Sequence, residues 1–214
     1  MKILLDEYQE NPNDVRVLCY LGMTYLGQGK REEARELLLR AVRWSRENNT
    51  YGPFAVASVG LAQIALAENS LDEGVALLKE SLTKDPCFPD TYYWLGRAFY
   101  KLGNYEESLK NFQKVLQVEY KNSFVPFAFT FVDLVDLYFK MADCAYHLGE
   151  EELGNVYSAK LDELTHNNPD SLNSLGRTMV EVGCLEEAEE FFRAALRLNP
   201  LHADARTHLF SLLL

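Results

Sequence analysis

Cysteine and histidine are scarce in this chain and widely spaced along it. Among its 214 residues there are four cysteines and four histidines. No two cysteines form a C-x-x-C pair and no histidines form an H-E-x-x-H motif, so neither a disulfide framework nor a zinc site is indicated. We therefore expect reduced thiols and predict no metal ion and no other cofactor.

Basic residues are in short supply too. The chain has 21 Lys and Arg against 32 Asp and Glu, a net charge of −11. Because nucleic-acid binding depends on Lys and Arg displacing counterions from phosphates, we expect no nucleic-acid partner. Long apolar runs are also missing, and the opening MKILLDEYQE is far too polar for a secretory signal. The sequence predicts no membrane insertion and a cytoplasmic location.

Catalytic motifs are absent as well. The chain contains no G-x-S-x-G, no glycine-rich phosphate loop and no dinucleotide fingerprint. Its acidic clusters, such as Glu150 to Glu152, begin amphipathic stretches, where carboxylates favour the positive end of a helix dipole and face water. We therefore predict no catalytic residue and expect that the chain is not an enzyme.

What the sequence does have is a repeat of 34 residues. Leu61 and Leu95 are separated by this interval, and so are Met141 and Leu175. Two joints are longer, by 6 residues before the second repeat and by 12 before the fourth. Apolar residues recur at spacings of three and four on either side of a glycine, which predicts two amphipathic helices joined by a tight turn.

The stretch TYYWLGRAFYKLGNYEESLKNF, residues 91–112, shows the pattern best. We expect Gly103 to end the first helix in a left-handed conformation, and Asn104 to accept from the amides that open the second. Gly96, and Gly176 in a later repeat, fall where the paired helices should come closest.

Five units in phase share small and apolar residues at fixed positions. In the unit that begins at Pro89, these are Tyr92, Leu95, Gly96, Phe99, Gly103, Ser108, Phe112, Val115 and Tyr120. The pattern resembles the tetratricopeptide repeat, and the match covers nearly the whole chain. The resemblance implies an all-α fold: a right-handed superhelix, or α-solenoid, of antiparallel helix pairs.

The register of this repeat divides the chain into seven segments. We expect a single solenoid with the second helix of a partial repeat at 1–12, five repeats at 15–48, 55–88, 89–122, 123–168 and 169–202, and a capping helix at 203–214. The fourth repeat should have a first helix that is extended at its start and begins near Pro126.

Two apolar stretches leave alternatives open. The insertion SFVPFAFTFVDL holds Phe124, Phe127, Phe129 and Phe131, which either pack against repeat three or form a docking surface. The final LFSLLL is either a cap with a frayed end, or a surface for a continuation of the array or for self-association.

Two functions fit these observations. The resemblance most directly implies a non-enzymatic scaffold that binds a protein or peptide in the concave groove formed by the first helices. The alternative is the C-terminal repeat region of a bacterial family 2 glycosyltransferase. That second resemblance rests on three features of the sequence. They are the partial repeat at 1–12, which lacks its first helix, the P-x-x-P-D spacing of Pro86, Pro89 and Asp90, and the long insertion after repeat three.

In the tetratricopeptide family the groove is lined by fixed positions of the first helices, and we carry these over to three repeats. They are Tyr93, Arg97, Tyr100 and Lys101 from repeat three, Phe139, Asp143, Tyr146 and His147 from repeat four, and Asn173 and Arg177 from repeat five. Aromatic faces beside Arg and Lys hold an extended chain by stacking and charge-assisted bonds. We expect Arg97 and Arg177 to meet carboxylates of the partner, unless the tyrosines merely cover the inner helix surface.

Overall fold

Helices make up the structure of this chain, a computed structural model that describes residues 2–118 and 132–214. The described residues fall into two compact units, one ending at Val118 and one beginning at Val132. Neither of these segments contains a β-strand. The predicted all-α class is therefore confirmed for the described part of the chain.

The first unit contains seven helices among its described residues, joined by short turns. They are α1 (Lys2–Glu10), α2 (Val15–Gly27), α3 (Arg31–Glu47), α4 (Gly52–Ala67), α5 (Leu71–Lys84), α6 (Pro89–Lys101) and α7 (Tyr105–Gln117). Helices α2 and α3, α4 and α5, and α6 and α7 pack as antiparallel pairs. Helix α4 also contacts α2, α3 and α6, so successive pairs are stacked on one another.

The second unit contains five helices. They are α8 (Leu134–His147), α9 (Glu151–Thr165), α10 (Pro169–Val182), α11 (Leu185–Leu198) and α12 (Ala203–Leu212). Helices α8 and α9 form one pair and α10 and α11 the next, while α12 packs on α10 and α11. No helix in the described part of the chain is both long and apolar enough to cross a membrane.

A left-handed residue ends the first helix of every pair. The five residues are Gly29, Asn69, Gly103, Gly149 and Gly183, with φ between 62° and 86°. Such a conformation favours residues with no side chain or a short polar one, and it lets the chain reverse within a few residues. The side chain of Asn104 then accepts a hydrogen bond from the Glu107 amide at 3.2 Å. The expected turn at Gly103 and Asn104 is confirmed.

Glycine also allows the two helices of a pair to approach closely. A Cβ atom added to Gly96 would lie 2.5 Å from Phe112 of α7, and one added to Gly176 would lie 2.5 Å from Phe192 of α11. Both phenylalanine rings occupy the space that these missing side chains leave. The predicted points of close approach are confirmed.

Helix α4 is the centre of the first unit. All but two of its 16 residues are buried, as expected of a helix that is apolar on every side. Helix α3 beside it runs for 17 residues, because Arg46 stands where repeats two and five have a proline. Arg46 instead reaches the next pair and donates to Glu80 of α5 at 2.6 Å.

One expected helix start differs from the structure, and another lies outside the described residues. Helix α4 begins at Gly52, three residues before the expected Ala55, because Pro53 suits the first turn of a helix. We expected an extended first helix in repeat four, beginning near Pro126, a residue that lies outside the described part, as do the four phenylalanines of the insertion. Helix α8 begins only at Leu134, where Asp133 is extended and its side chain accepts from two amides, so α8 itself is not lengthened at its start.

Candidate partner-binding site

Tyr93 lies inside the first unit rather than on its surface. Its side chain is 1% exposed, and its ring meets Trp94 edge-on at 5.5 Å and Phe112 at 6.2 Å between centroids. Tyr93, the fifth residue of α6, is therefore part of the core and packs beneath the residues on the outer face of this helix. In this conformation Tyr93 does not offer its ring to a ligand.

Arg97 lies over the rings of Tyr93 and Trp94. Its guanidinium carbon is 4.7 Å from the centroid of the Trp94 ring and 5.7 Å from that of Tyr93. Cation–π attraction of this kind holds a guanidinium in place. Trp94, absent from the predicted site, is the nearer of these two rings.

The other two predicted residues of α6 make contacts with neighbouring helices. The Tyr100 ring is half-buried and packs edge-on against Tyr105 of α7 at 5.9 Å. Lys101 donates to the carbonyl oxygen of Leu66 at 2.9 Å, at the C-terminal end of α4. A lysine at that end compensates the negative pole of the helix dipole, so Lys101 has a structural role.

In the second unit, the predicted residues of α8 point in different directions. Phe139 packs against the apolar core around Val135 and Leu175. Asp143 and His147, one turn apart, are 3.7 Å from each other. Tyr146 lies with its ring over Gly154 of α9 and donates to Asn155 Oδ1 at 2.9 Å. The structure therefore directs Tyr146 to its paired helix and not towards α10.

Asn173 and Arg177 lie one turn apart on the same face of α10. Asn173 is 7% exposed, and its Oδ1 lies 2.8 Å from Nδ1 of His208 on α12. Since a carbonyl oxygen only accepts, His208 Nδ1 carries the proton of this bond. Arg177 is exposed to solvent.

Arg177 has no carboxylate within ion-pair distance in residues 2–118 and 132–214. The acidic groups near it are engaged elsewhere. Glu181, one turn further along α10, is 3.5 Å from Lys140 Nζ, and Asp170 is 3.0 Å from His202 Nε2. Asp133 accepts from the Ser174 hydroxyl. The Arg177 charge is therefore available to an external anion.

His208 completes this cluster. Phe192 fills the space beside Gly176, and the imidazole of His208 lies on that ring with centroids 5.5 Å apart. Burial lowers the pKa of His208 below its usual value, and the nearby Arg177 charge lowers that pKa further. We call Asn173, Arg177 and His208 the α10–α12 cluster.

The sequence contained a signal for His208 that the predicted site did not use. Ala203 begins a further first helix in the 34-residue register, so His208 falls at its sixth position. The sixth position was not among the groove positions carried over, and none was carried beyond repeat five.

A buried ion pair within α8 lies next to α10. Lys140 donates to Asp136, and the two side chains are 4% and 5% exposed. Thr178 of α10 also lies 3.4 Å from Asp136 Oδ1. These groups are positioned for stability, since buried charges need partners.

Metal ligands do not converge in the described part of the chain. No group of three or more His, Cys, Asp or Glu side chains is arranged to hold an ion there. Arg97 on α6 of the first unit and Arg177 on α10 of the second unit each place a guanidinium on a first helix. Guanidinium groups form strong paired hydrogen bonds with carboxylates.

Stacked antiparallel helix pairs with one period define a helical-repeat protein, whose first helices present a surface for partners. Models of the tetratricopeptide repeat match residues 19–86, 89–119 and 169–200 and together take in more than half of the chain. The chain belongs to the tetratricopeptide repeat family, which confirms the resemblance drawn from the sequence.

Solved structures with the same fold include two proteins of the family. TTC0263 of Thermus thermophilus, a thermophilic protein, is 18% identical with a TM-score of 0.62, over 93% of this chain and 98% of that one. YrrB, described as having an unusual peptide-binding site, is 17% identical with a TM-score of 0.58, over 96% of each chain.

One curated relative matches as well. Protein CTR9 homolog of Arabidopsis thaliana is 28% identical over 133 residues, which are 62% of this chain and 11% of that protein. The match therefore spans about a tenth of the relative's length.

Proposed function

We propose that this chain is a non-enzymatic scaffold that holds an extended segment of a partner protein on the faces of its first helices. Membership in the tetratricopeptide family supports an interaction scaffold in general. The peptide-binding site described for YrrB is a precedent for such a ligand on this fold. Each unit has its own candidate for a carboxylate of the partner, Arg97 in the first unit and Arg177 in the second.

Arg177 carries this proposal. It is exposed on α10 and lacks an ion-pair partner among the described residues, whereas Arg16, Arg35 and Arg46 each contact a glutamate. An unpaired guanidinium on a first helix does not stabilise the fold more than a neutral residue would. It does supply a forked donor for a carboxylate.

Charge reversal at Arg177 tests this function. The immobilised full chain is incubated with lysate of its own cells, and bound proteins are quantified by mass spectrometry. Arg177→Glu should lose the captured partner at least about tenfold, because one charge-assisted pair is replaced by repulsion. Arg197→Glu is the matched control, since Arg197 is exposed in the last turn of α11, a second helix. Equal capture by wild type and Arg177→Glu would reject the function.

Self-association through the C-terminal helix stays a prediction. Phe210 of α12 is 64% exposed and stands at the position where the paired first helices carry glycine or alanine, as at Gly96 and Gly176. A second helix cannot approach a phenylalanine as closely as it approaches those glycines. Sedimentation at micromolar concentration tests the prediction, and a monomer would contradict it.

The glycosyltransferase alternative also stays a prediction. The solved structures above share the repeat fold. No contact in the described part of the chain indicates that a sugar-transfer domain adjoins it. The gene that encodes this chain would decide the matter, because an adjoining nucleotide-sugar domain would support the alternative.

A further inference from the structure

We propose that the α10–α12 cluster binds a carboxylate of the partner together with a proton, so that the partner is held more tightly as the pH falls. The inference rests on the proposed function and adds His208 and its titration to it. The ligand class is an acidic peptide segment. His208 acts as the proton acceptor in the site.

The geometry leaves one ring nitrogen of His208 open. Nδ1–H donates to Asn173 Oδ1 at 2.8 Å, so Nε2 of the neutral ring is unprotonated. The ring is fixed on both sides, because Asn173 is nearly buried and Phe192 supports the imidazole face at 5.5 Å between centroids. A proton taken up at Nε2 turns an acceptor into a charged donor beside the Arg177 guanidinium.

The groups that face His208 determine when it takes up that proton. From α10 it faces Asn173 and the positive Arg177, and from α11 the uncharged Phe192 ring. At the start of its own helix, Asp204 raises its pKa whereas His202 lowers it. Burial and Arg177 outweigh Asp204, so the imidazole is neutral at pH 7 in the free protein.

A bound carboxylate reverses this balance. Its negative charge offsets the Arg177 charge and accepts from the protonated Nε2, so carboxylate binding raises the pKa of His208. Proton and carboxylate then favour each other's binding by the same factor. For one proton, affinity changes by at most about tenfold per pH unit, between the pKa values of the free and the bound protein.

Two capped peptides provide the test, acetyl-Ala-Glu-Ala-Glu-Ala-amide and its counterpart with glutamine in place of glutamate. The His208 pKa is read from its ring proton by NMR in the full chain, and the peptide Kd is measured at pH 7.5 and 5.5. Glutamate stays ionised throughout that range. We expect the glutamate peptide to raise the pKa of His208 and to bind at least about threefold tighter at pH 5.5. The glutamine peptide should do neither.

Variants separate this coupling from other effects of pH. His208→Gln should bind equally at both pH values, whereas His166→Gln, altered at an exposed histidine after α9, should keep the wild-type dependence. A His208 pKa that the glutamate peptide does not change, or a pH dependence that survives in His208→Gln, would overturn the coupling. Loss of native-partner capture in Arg177→Glu would then still support the proposed function, which falls only if that capture is retained.

Discussion

Single glycines determine how closely the paired helices approach. Replacing Gly96 with Leu should lower the free energy of unfolding by about 1–3 kcal/mol, because the core beside it has no room for a larger side chain. A Cβ atom alone would already lie 2.5 Å from the Phe112 ring. Urea unfolding followed by circular dichroism measures the loss.

Gly27 is the control for this substitution. It lies at the end of α2, with no atom within 4 Å of an added Cβ. Gly27→Leu should change the free energy of unfolding by less than about 0.5 kcal/mol, as at most exposed positions. Because leucine favours helix more than glycine does, a similar loss in both variants would mean that the Phe112 contact does not explain the effect.

At the residue scale, backbone requirements were easier to predict than side-chain directions. The left-handed turn at Gly103 follows from sequence because few residues tolerate that conformation. The direction of Tyr146 does not follow, because the repeat position fixes only the helix face. Its ring turned to α9, where Gly154 leaves room and Asn155 and Ser158 offer hydrogen bonds.

At the scale of the element, the buried pair Asp136–Lys140 of α8, which Thr178 of α10 contacts, is the charge pair to test. Lys140→Met should destabilise the chain by about 3–5 kcal/mol, because it leaves the Asp136 carboxylate buried without its ammonium partner. Both side chains are at most 5% exposed. The double variant Asp136→Leu/Lys140→Met should recover most of the loss, since it removes both charges. Denaturant midpoints of the variants provide the measurement.

An exposed pair serves as the comparison. Lys160 and Glu163 are 2.7 Å apart, with side chains 52% and 67% exposed. Lys160→Met should destabilise the chain far less than Lys140→Met does, because water replaces the partner. If this variant is as damaging as Lys140→Met, burial is not the cause.

The contact between α3 and α5 predicts a pH dependence. The hydrogen bond from Arg46 lowers the pKa of Glu80 below its usual value. A lowered pKa means that the ionised carboxylate stabilises the fold above its ordinary pKa, and that this contribution is lost as the pH falls through the folded value. Glu80→Gln should therefore be less stable than wild type at pH 7, by about 0.2–1 kcal/mol for a partly exposed pair.

The difference between Glu80→Gln and wild type should shrink as the pH is lowered from 7 through the acid range. Thermal unfolding at several pH values measures it. Glu36→Gln is the control, since Glu36 is an exposed glutamate on α3, the helix that carries Arg46. If the stability difference between Glu80→Gln and wild type grows towards acid pH, the predicted sign of this contribution is wrong.

Element boundaries depended on individual caps and prolines. Asp133 caps α8 through its side chain and fixes the start at Leu134. Arg46 in place of proline let α3 run on to Glu47. Sequence periodicity locates an element, but local side-chain bonds decide its first and last residues.

For the whole chain, the fold class was readily predicted because the same pattern occurs five times, so each repeat supports the others. The site was harder. Arg177 and Asn173 came from family positions, but His208 belongs to a helix beyond the last complete pair. Its role depends on Asn173 and Phe192, which lie 35 and 16 residues away in sequence.

The scaffold function also has a test in the first unit, where Arg97 and Tyr100 lie on α6. Arg97→Ala/Tyr100→Ala should weaken capture of the native partner while the helical spectrum is kept, because both side chains are only half-buried. Arg43→Ala/Tyr51→Ala is the matched control, since it removes the same side-chain types at exposed positions outside the α6 face. Partner capture is quantified by mass spectrometry. If the two double variants capture the partner equally well, the α6 face of the first unit does not bind it.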